Sequence, residues 1–422
     1  MNNISAKEVR MAERLKKRHR AEKRFRLFGL MAVCVGLVFL AVLFATVLHA
    51  GASAFQQTKM RLDIHLAAED FDVNALSRAN YQGIMKRALS DSFPDAKSRQ
   101  DKRALYKIIS SGAAFELHDF VKENPEMIGK TVSLWVTAGD DVDMVVKGVI
   151  ARTAPVDQRR LSDRQLRWVE ALEADGRLEL QFNRAFFTSG DSREPELAGI
   201  AVAALGSLFS VLVCLALSFP LGVMTAVYLE EFAPRNRWTD FVEININNLA
   251  AVPSIVFGLL GLAVFLNIFH LPRSAPFVGG LVLALMTLPT IIIAGRAAIK
   301  AVPPSIREAA LAVGASPIQA VFHHVLPLAM PGVLTGTIIG TARALGETAP
   351  LLMIGMVAFV VDLPDNILSP ATALPVQVFL WADSPERAFS ERTAAAILVL
   401  LLFTIVINLS AVLLRKKYEI RW

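Results

Sequence analysis

The chain has 422 residues, 54% of them hydrophobic and 19% charged, and a formal net charge of +6. That average is too apolar for an ordinary soluble domain, a disordered chain or a small disulfide scaffold. The charge is unevenly spread: 43 of the 82 Asp, Glu, Lys and Arg residues lie between Gly51 and Pro195, so a membrane part and a soluble part are expected.

Residues 1–26 form a basic tail. Ten cations (Lys7, Arg10, Arg14, Lys16, Lys17, Arg18, Arg20, Lys23, Arg24 and Arg26) face three acids (Glu8, Glu13 and Glu22). Beside an apolar run, this is a signal for a cytoplasmic N-terminus rather than a nucleic-acid site. The first transmembrane helix is expected over 27–48. Ala50, Ala52 and Ala54 follow in small-x-small spacing, which leaves cleavage as a signal peptide open. A run of about 22 apolar residues exceeds the usual 7–15 of a signal core, and favours an uncleaved anchor.

Residues 51–195 read as an exported α+β domain. Thr131–Ala138 and Val142–Ile150 alternate as two strands, with Gly139 and Asp140 as a hairpin turn. Ser162 and Gln165 form a capping-box pattern that opens a helix ending near Gly176. Leu178–Phe187 reads as a further strand or extended segment. His65 and His118 are isolated and read as surface or core residues rather than ligands.

Five more apolar runs follow, near Leu197–Leu229, Ile246–Phe269, Val278–Ile299, Leu328–Ile354 and Ala394–Leu414. Each is long enough to span a bilayer. Pro253, Pro289 and Pro331 interrupt three of them, and the backbone groups freed by proline need neighbouring protein, so a packed bundle is expected. Six spans return the C-terminus to the side of the N-terminus, in agreement with Arg415, Lys416 and Lys417 in the tail 415–422. The fold class is an all-α polytopic membrane protein of six helices carrying an inserted α+β domain. Cys34 and Cys214 both sit in apolar runs, which leaves no disulfide framework and no metal site.

Between the fourth and fifth runs lies Pro303-Pro304-Ser305-Ile306-Arg307-Glu308-Ala309-Ala310-Leu311-Ala312-Val313-Gly314-Ala315-Ser316-Pro317. Pro303 and Pro304 with Ser305 suit a helix start, and Gly314 followed by Pro317 an end. Small alanines leave a surface that another protein can approach closely. A plain membrane-surface helix is the competing reading. Arg343 and Glu347, four residues apart in an apolar run, share one helical face, and ionisable groups there are candidates for function. A structural ion pair that fixes helix packing is the alternative. Arg296, one turn from Lys300, is read as snorkelling to the membrane edge, with a positive path as the second reading.

Glu308-Ala309-Ala310, Gly314 and Leu326-Pro327 resemble the EAA loop of ABC importer permeases, although His324 stands where the family usually has Ile. Pro220-Leu221-Gly222 with Ala226–Phe232, Leu249–Gly258 and Ala342-Arg343-Ala344-Leu345-Gly346-Glu347-Thr348-Ala349-Pro350-Leu351-Leu352 together resemble the permease family of bacterial phosphate ABC importers over about residues 197–414. The resemblance implies a five-helix type I permease core and a coupling helix over 303–320, in which Glu308, Ala309, Ala310 and Gly314 engage an ATPase. It implies a substrate path at a buried Arg343 with Glu347. It also implies a second, PstC-like permease subunit, a PstB-like ATP-binding dimer, a periplasmic PstS-like phosphate-binding protein and residence in the bilayer of the inner membrane. No cofactor and no nucleic acid are expected, and nothing resembles a Walker A loop, so ATP hydrolysis is left to a partner. The open alternatives are a permease for molybdate or sulfate, and a membrane sensor.

Overall fold

The computed structural model describes residues 2–72 and 76–418. Residues 419–422 of the C-terminal tail, Met1, and the side chains of Lys7, Glu8, Arg10 and Glu13 in the basic tail lie outside the described residues. Two units separate, 1–50 and 51–422. The described residues of the first unit all belong to one helix, α1 (Asn2–Ala52), with a basic first half and an apolar second half.

The second unit begins with an α+β insert. Its elements are β1 (Gln56–His65), α2 (Tyr81–Ser92), α3 (Arg99–Tyr106), α4 (Ala113–Glu123), β2 (Thr131–Thr137), α5 (Asp140–Val146), α6 (Val156–Arg159), α7 (Asp163–Ala174), β3 (Leu178–Phe182) and α8 (Arg184–Thr188). The strands form one antiparallel sheet in the order β2-β1-β3, with Leu62 opposite Leu134 and Met60 opposite both Val136 and Leu178. Alternation makes β1 two-faced. Met60, Leu62 and Ile64 point into a core closed by Ile84, Leu89, Leu105, Leu117, Val121, Trp168 and Leu172, while Arg61, Asp63 and His65 face outward.

Sequence expectations hold here in part. Ser162 and Gln165 form the reciprocal capping box, and Gly176 takes a left-handed conformation just past the helix. Thr131–Thr137 is a strand, but Val142–Ile150 is not its hairpin partner: residues 140–146 are helical. Asp140, Asp141 and Asp143 crowd the first turn of α5, where acids complement the helix dipole, and Val142 and Val145 fall three apart on its buried side. The last strand stops at Phe182, because Asn183 turns the chain and caps α8 by accepting from the Phe186 N–H.

The helical bundle comprises α9 (Ala201–Val227), α10 (Arg237–Ala250), α11 (Ser254–Gly261), α12 (Pro276–Lys300), α13 (Pro304–Ala312), α14 (Pro317–Ala320), α15 (Leu326–Gly346), α16 (Ala349–Met353), α17 (Leu374–Ala382) and α18 (Ala388–Tyr418). Among the described residues five helices are long and apolar enough to cross a membrane, and a sixth span arises if the bent pair at α10 and α11 counts as one. That pair corrects the expected third span. The chain turns by 101° at the break before Pro253, and continues past α11 as a π-turn over Leu262–Ile268. The fifth apolar run is corrected too, since α15 ends at Gly346 and a short α16 follows.

Small residues let α9, α12 and α15 pack closely. Gly222 lies against Ile291, Gly280 against Val213, Gly295 against Ala226, and Gly336 against Ala294. The insert is seated on this bundle. Ala54, Phe186, Ala198 and Ile200 share an apolar cluster with Leu374, Trp381 and Phe389. Beside it, the buried Lys147 ammonium reaches Asp143 at 2.7 Å and Glu391 of α18 at 2.9 Å.

Candidate functional site: a charged step on α15 and a coupling segment

α15 is helical until Gly346, then Glu347 adopts an extended conformation (φ −79°, ψ 121°). Arg343 in the last turn of α15 and Glu347 just beyond it therefore still meet, with Nε and Oε1 3.5 Å apart. This is longer than the ~2.7–2.9 Å of a tight charge-assisted hydrogen bond, so each group keeps capacity for another partner. The expectation that Arg343 is buried is not met: its side chain is 49% exposed in this chain, against 20% for Glu347. Its guanidinium projects from the flank of α15, opposite the side where Thr337, Thr341 and Ala344 are buried against the bundle. A cation on a spanning helix that finds no interior in its own chain needs a facing protein surface or a water-filled path.

The segment 303–320 is two short helices rather than one. Pro304 opens α13, Gly314 breaks the chain at φ +92°, which glycine adopts without Cβ strain, and Ser316 with Gln319 forms a capping box that starts α14. Glu308 and Ala309 are exposed, and Ala310 is buried against the bundle. Sequence reasoning missed the apolar company of Glu308. Leu311, Val313 (85%) and Ile318 are also exposed, an apolar surface at a helix bend. Their signal was present in a segment otherwise made of small and polar residues. His324 is exposed in the π-turn Val321–Val325, so its side chain does not disturb packing at the loop exit.

Arg296 is held by two acids: its Nε donates to Glu230 at 2.8 Å and its Nη2 to Glu243 at 2.6 Å. Arg307 is also held. It donates to both oxygens of Glu231 and to the carbonyls of Ile299 and Val302. Among the described residues no group of three or more His, Cys, Asp or Glu is arranged to hold a metal.

Two family descriptions match. Residues 12–156 correspond to a domain of unknown function, DUF3333, and residues 218–420 to the inner membrane component of binding-protein-dependent transport systems. The phosphate transport system permease protein PstA 1 of Mycobacterium tuberculosis is 34% identical over 217 residues, covering 51% of this chain and 70% of its own. The probable ABC transporter permease YqgI of Bacillus subtilis is 31% identical over 246 residues, covering 55% and 82%. A solved chain of the inward-facing MetNI methionine ABC transporter is 17% identical and covers 53% of this chain and 95% of its own, with a TM-score of 0.41. With its apolar spans and these relatives, the chain belongs to the PstA family of permeases, multi-pass inner-membrane components of binding-protein-dependent transport systems.

Proposed function

We propose that this chain is one of two permease subunits of an ATP-driven importer of inorganic phosphate. The observation that carries the reading is the loosely held Arg343–Glu347 pair on the open flank of α15, in a chain whose relatives include phosphate transport permeases. A guanidinium presents planar, paired donors that match the oxygens of phosphate. When phosphate is absent, Glu347 holds Arg343 and limits the cost of an empty cationic site. When phosphate is present, the carboxylate accepts a hydrogen bond from its remaining proton, which sulfate at neutral pH lacks. The second, PstC-like permease supplies the facing wall of the path.

The chain has no chemistry of its own in this scheme. A PstB-like ATPase pair docks on residues 303–320, with Glu308, Ala309, Ala310 and Gly314 joined by the exposed Leu311, Val313 and Ile318. Both chain termini lie in the cytoplasm, and residues 51–195 form a domain on the periplasmic side, where a PstS-like binding protein delivers phosphate. ATP binding draws the coupling segments together and rocks the spans between inward and outward access.

Phosphate uptake in a strain lacking its own permease, complemented with this chain and its partners, tests the reading. Arg343→Gln is expected to lower uptake roughly 10- to 100-fold, the worth of a charged hydrogen bond, while the assembled complex still hydrolyses ATP. Normal uptake by that variant would overturn the assignment. Replacement of Glu308 and Gly314 together is expected to lose the co-purifying ATPase.

A further inference from the structure

Two adjacent acids just past α9 grip two arginines that belong to different elements, α12 and α13. They lie in the π-turn Tyr228–Phe232. Glu231 takes Arg307 of α13, with its shortest contact at 2.6 Å, and Arg307 spends its other donors on the carbonyls of Ile299 (3.0 Å) and Val302 (2.8 Å) at the end of α12. The coupling segment is thereby clamped to the ends of both α9 and α12. Glu230, one residue before, takes Arg296 of α12, whose second nitrogen holds Glu243 of α10.

We propose that the Arg307–Glu231 and Glu230–Arg296–Glu243 pairs are positioning contacts that carry displacement of the coupling segment to α10, and through it to Glu347. The inference rests on the transport reading above. α10 has no fully buried residue, so apolar packing holds it only lightly and the Arg296–Glu243 pair is a principal tie to the bundle. α10 meets α11 at the 101° bend, so a shift of one swings the other. α11 in turn lies on α16. Gly258 is so close to Pro350 that a Cβ there would stand 2.7 Å from the Pro350 Cα. Pro350 is three residues from Glu347, whose pairing with Arg343 sets whether the guanidinium is free. Apart from the bend between α10 and α11, each link is a short polar contact or a close backbone approach, and such packed links transmit displacement.

The test uses the full complex, with its ATPase and second permease, in proteoliposomes supplied with inorganic phosphate. Phosphate imported per ATP hydrolysed is the readout. Arg296→Gln and, separately, Glu243→Gln are expected to lower that ratio roughly 5- to 150-fold, the ordinary range of coupling between sites, with the ATPase still bound and hydrolysing. Arg296→Lys, which keeps the charge but not the two-armed geometry, is expected to recover part of it. An unchanged ratio in both neutral variants would overturn the inference. So would failure of both to assemble, because the pairs would then be a folding requirement and not a transmission route. Absence of import by the unsubstituted complex would overturn the transport reading itself.

Discussion

Glu196 stands at the seam between insert and bundle, 4% exposed, with Oε1 accepting from the Ser110 hydroxyl at 2.6 Å and Oε2 without a hydrogen-bond partner. Burial pushes its carboxyl up to about 7, and burial with the neighbouring Asp140 charge raises Asp141 to about 6. The folded state thus prefers both acids neutral. The stability they contribute is fully present below the ordinary carboxyl range near pH 4, and is lost as pH rises through about 6 and 7. For Glu196 the loss is on the order of 3 kcal/mol. Thermal midpoints of the purified full chain are expected to be lower at pH 8 than at pH 5, and Glu196→Gln is expected to shrink that difference by raising the pH 8 value. A difference of full size in the variant would place the pH response elsewhere. The sequence left this residue silent: a lone Glu between Pro195 and Leu197 looks like any loop acid until Ser110, 86 residues earlier, is brought against it. Arg343 and Glu347 were legible because helical spacing alone sets them on one face. Whether that face is buried was not, since it depends on which neighbour covers α15.

Glycines show how far packing at the level of the element departs from composition. On α9, a Cβ at Gly206 would fall 2.0 Å from the Thr372 carbonyl oxygen, which belongs to backbone and cannot swing aside. Gly206→Ala is expected to destabilise the bundle by about 1–3 kcal/mol, the usual cost of overpacking, read as a lower thermal midpoint in detergent. At the end of α15, Gly346 meets nothing within 4 Å and carries no positive φ. Gly346→Ala is expected to leave the midpoint equal or slightly higher, because alanine is the better helix former. A drop would mean that this helix end packs against its own chain. From sequence, helix existence was readable wherever a long apolar run or a capping box stood. Continuity was not: the 101° turn before Pro253 and the stop at Gly346 are decided by what α11 and α16 pack against. The missed β1 did carry a signal, since Met60, Leu62 and Ile64 alternate with Arg61, Asp63 and His65. The false strand at 142–150 came from β-branched Val142, Val145, Val146 and Val149, whose preference yielded to the acidic first turn of α5.

Across the whole molecule, the insert and the bundle are joined by buried charge as well as by apolar surface. Lys147→Met would leave Asp143 and Glu391 with the buried Arg392 as their remaining nearby cation, and breaking a buried ion pair commonly costs up to about 3–5 kcal/mol. Faster amide exchange over residues 140–146 and earlier proteolysis within the insert are expected, with the spans protected as before. Equal exchange rates would show the pair to be dispensable. Charge distribution alone set residues 51–195 apart from the apolar runs. The seam was not legible there, because Lys147 and Glu391 are separated by 244 residues and nothing local marks either as a partner. The insert also begins and ends at one point: the Asn183 side-chain amide donates to the Ala54 carbonyl at 3.0 Å, the Asn183 N–H to the Phe55 carbonyl at 2.9 Å, and β1 pairs with β3. Genetically, this makes the insert a cassette. The cut ends left by its removal lie side by side, so a short loop can rejoin them without stretching the permease. The scar is chemical rather than geometric. Excision takes Lys147 away from Glu391 and leaves the adjacent buried Arg392 as its counter-charge at the head of α18.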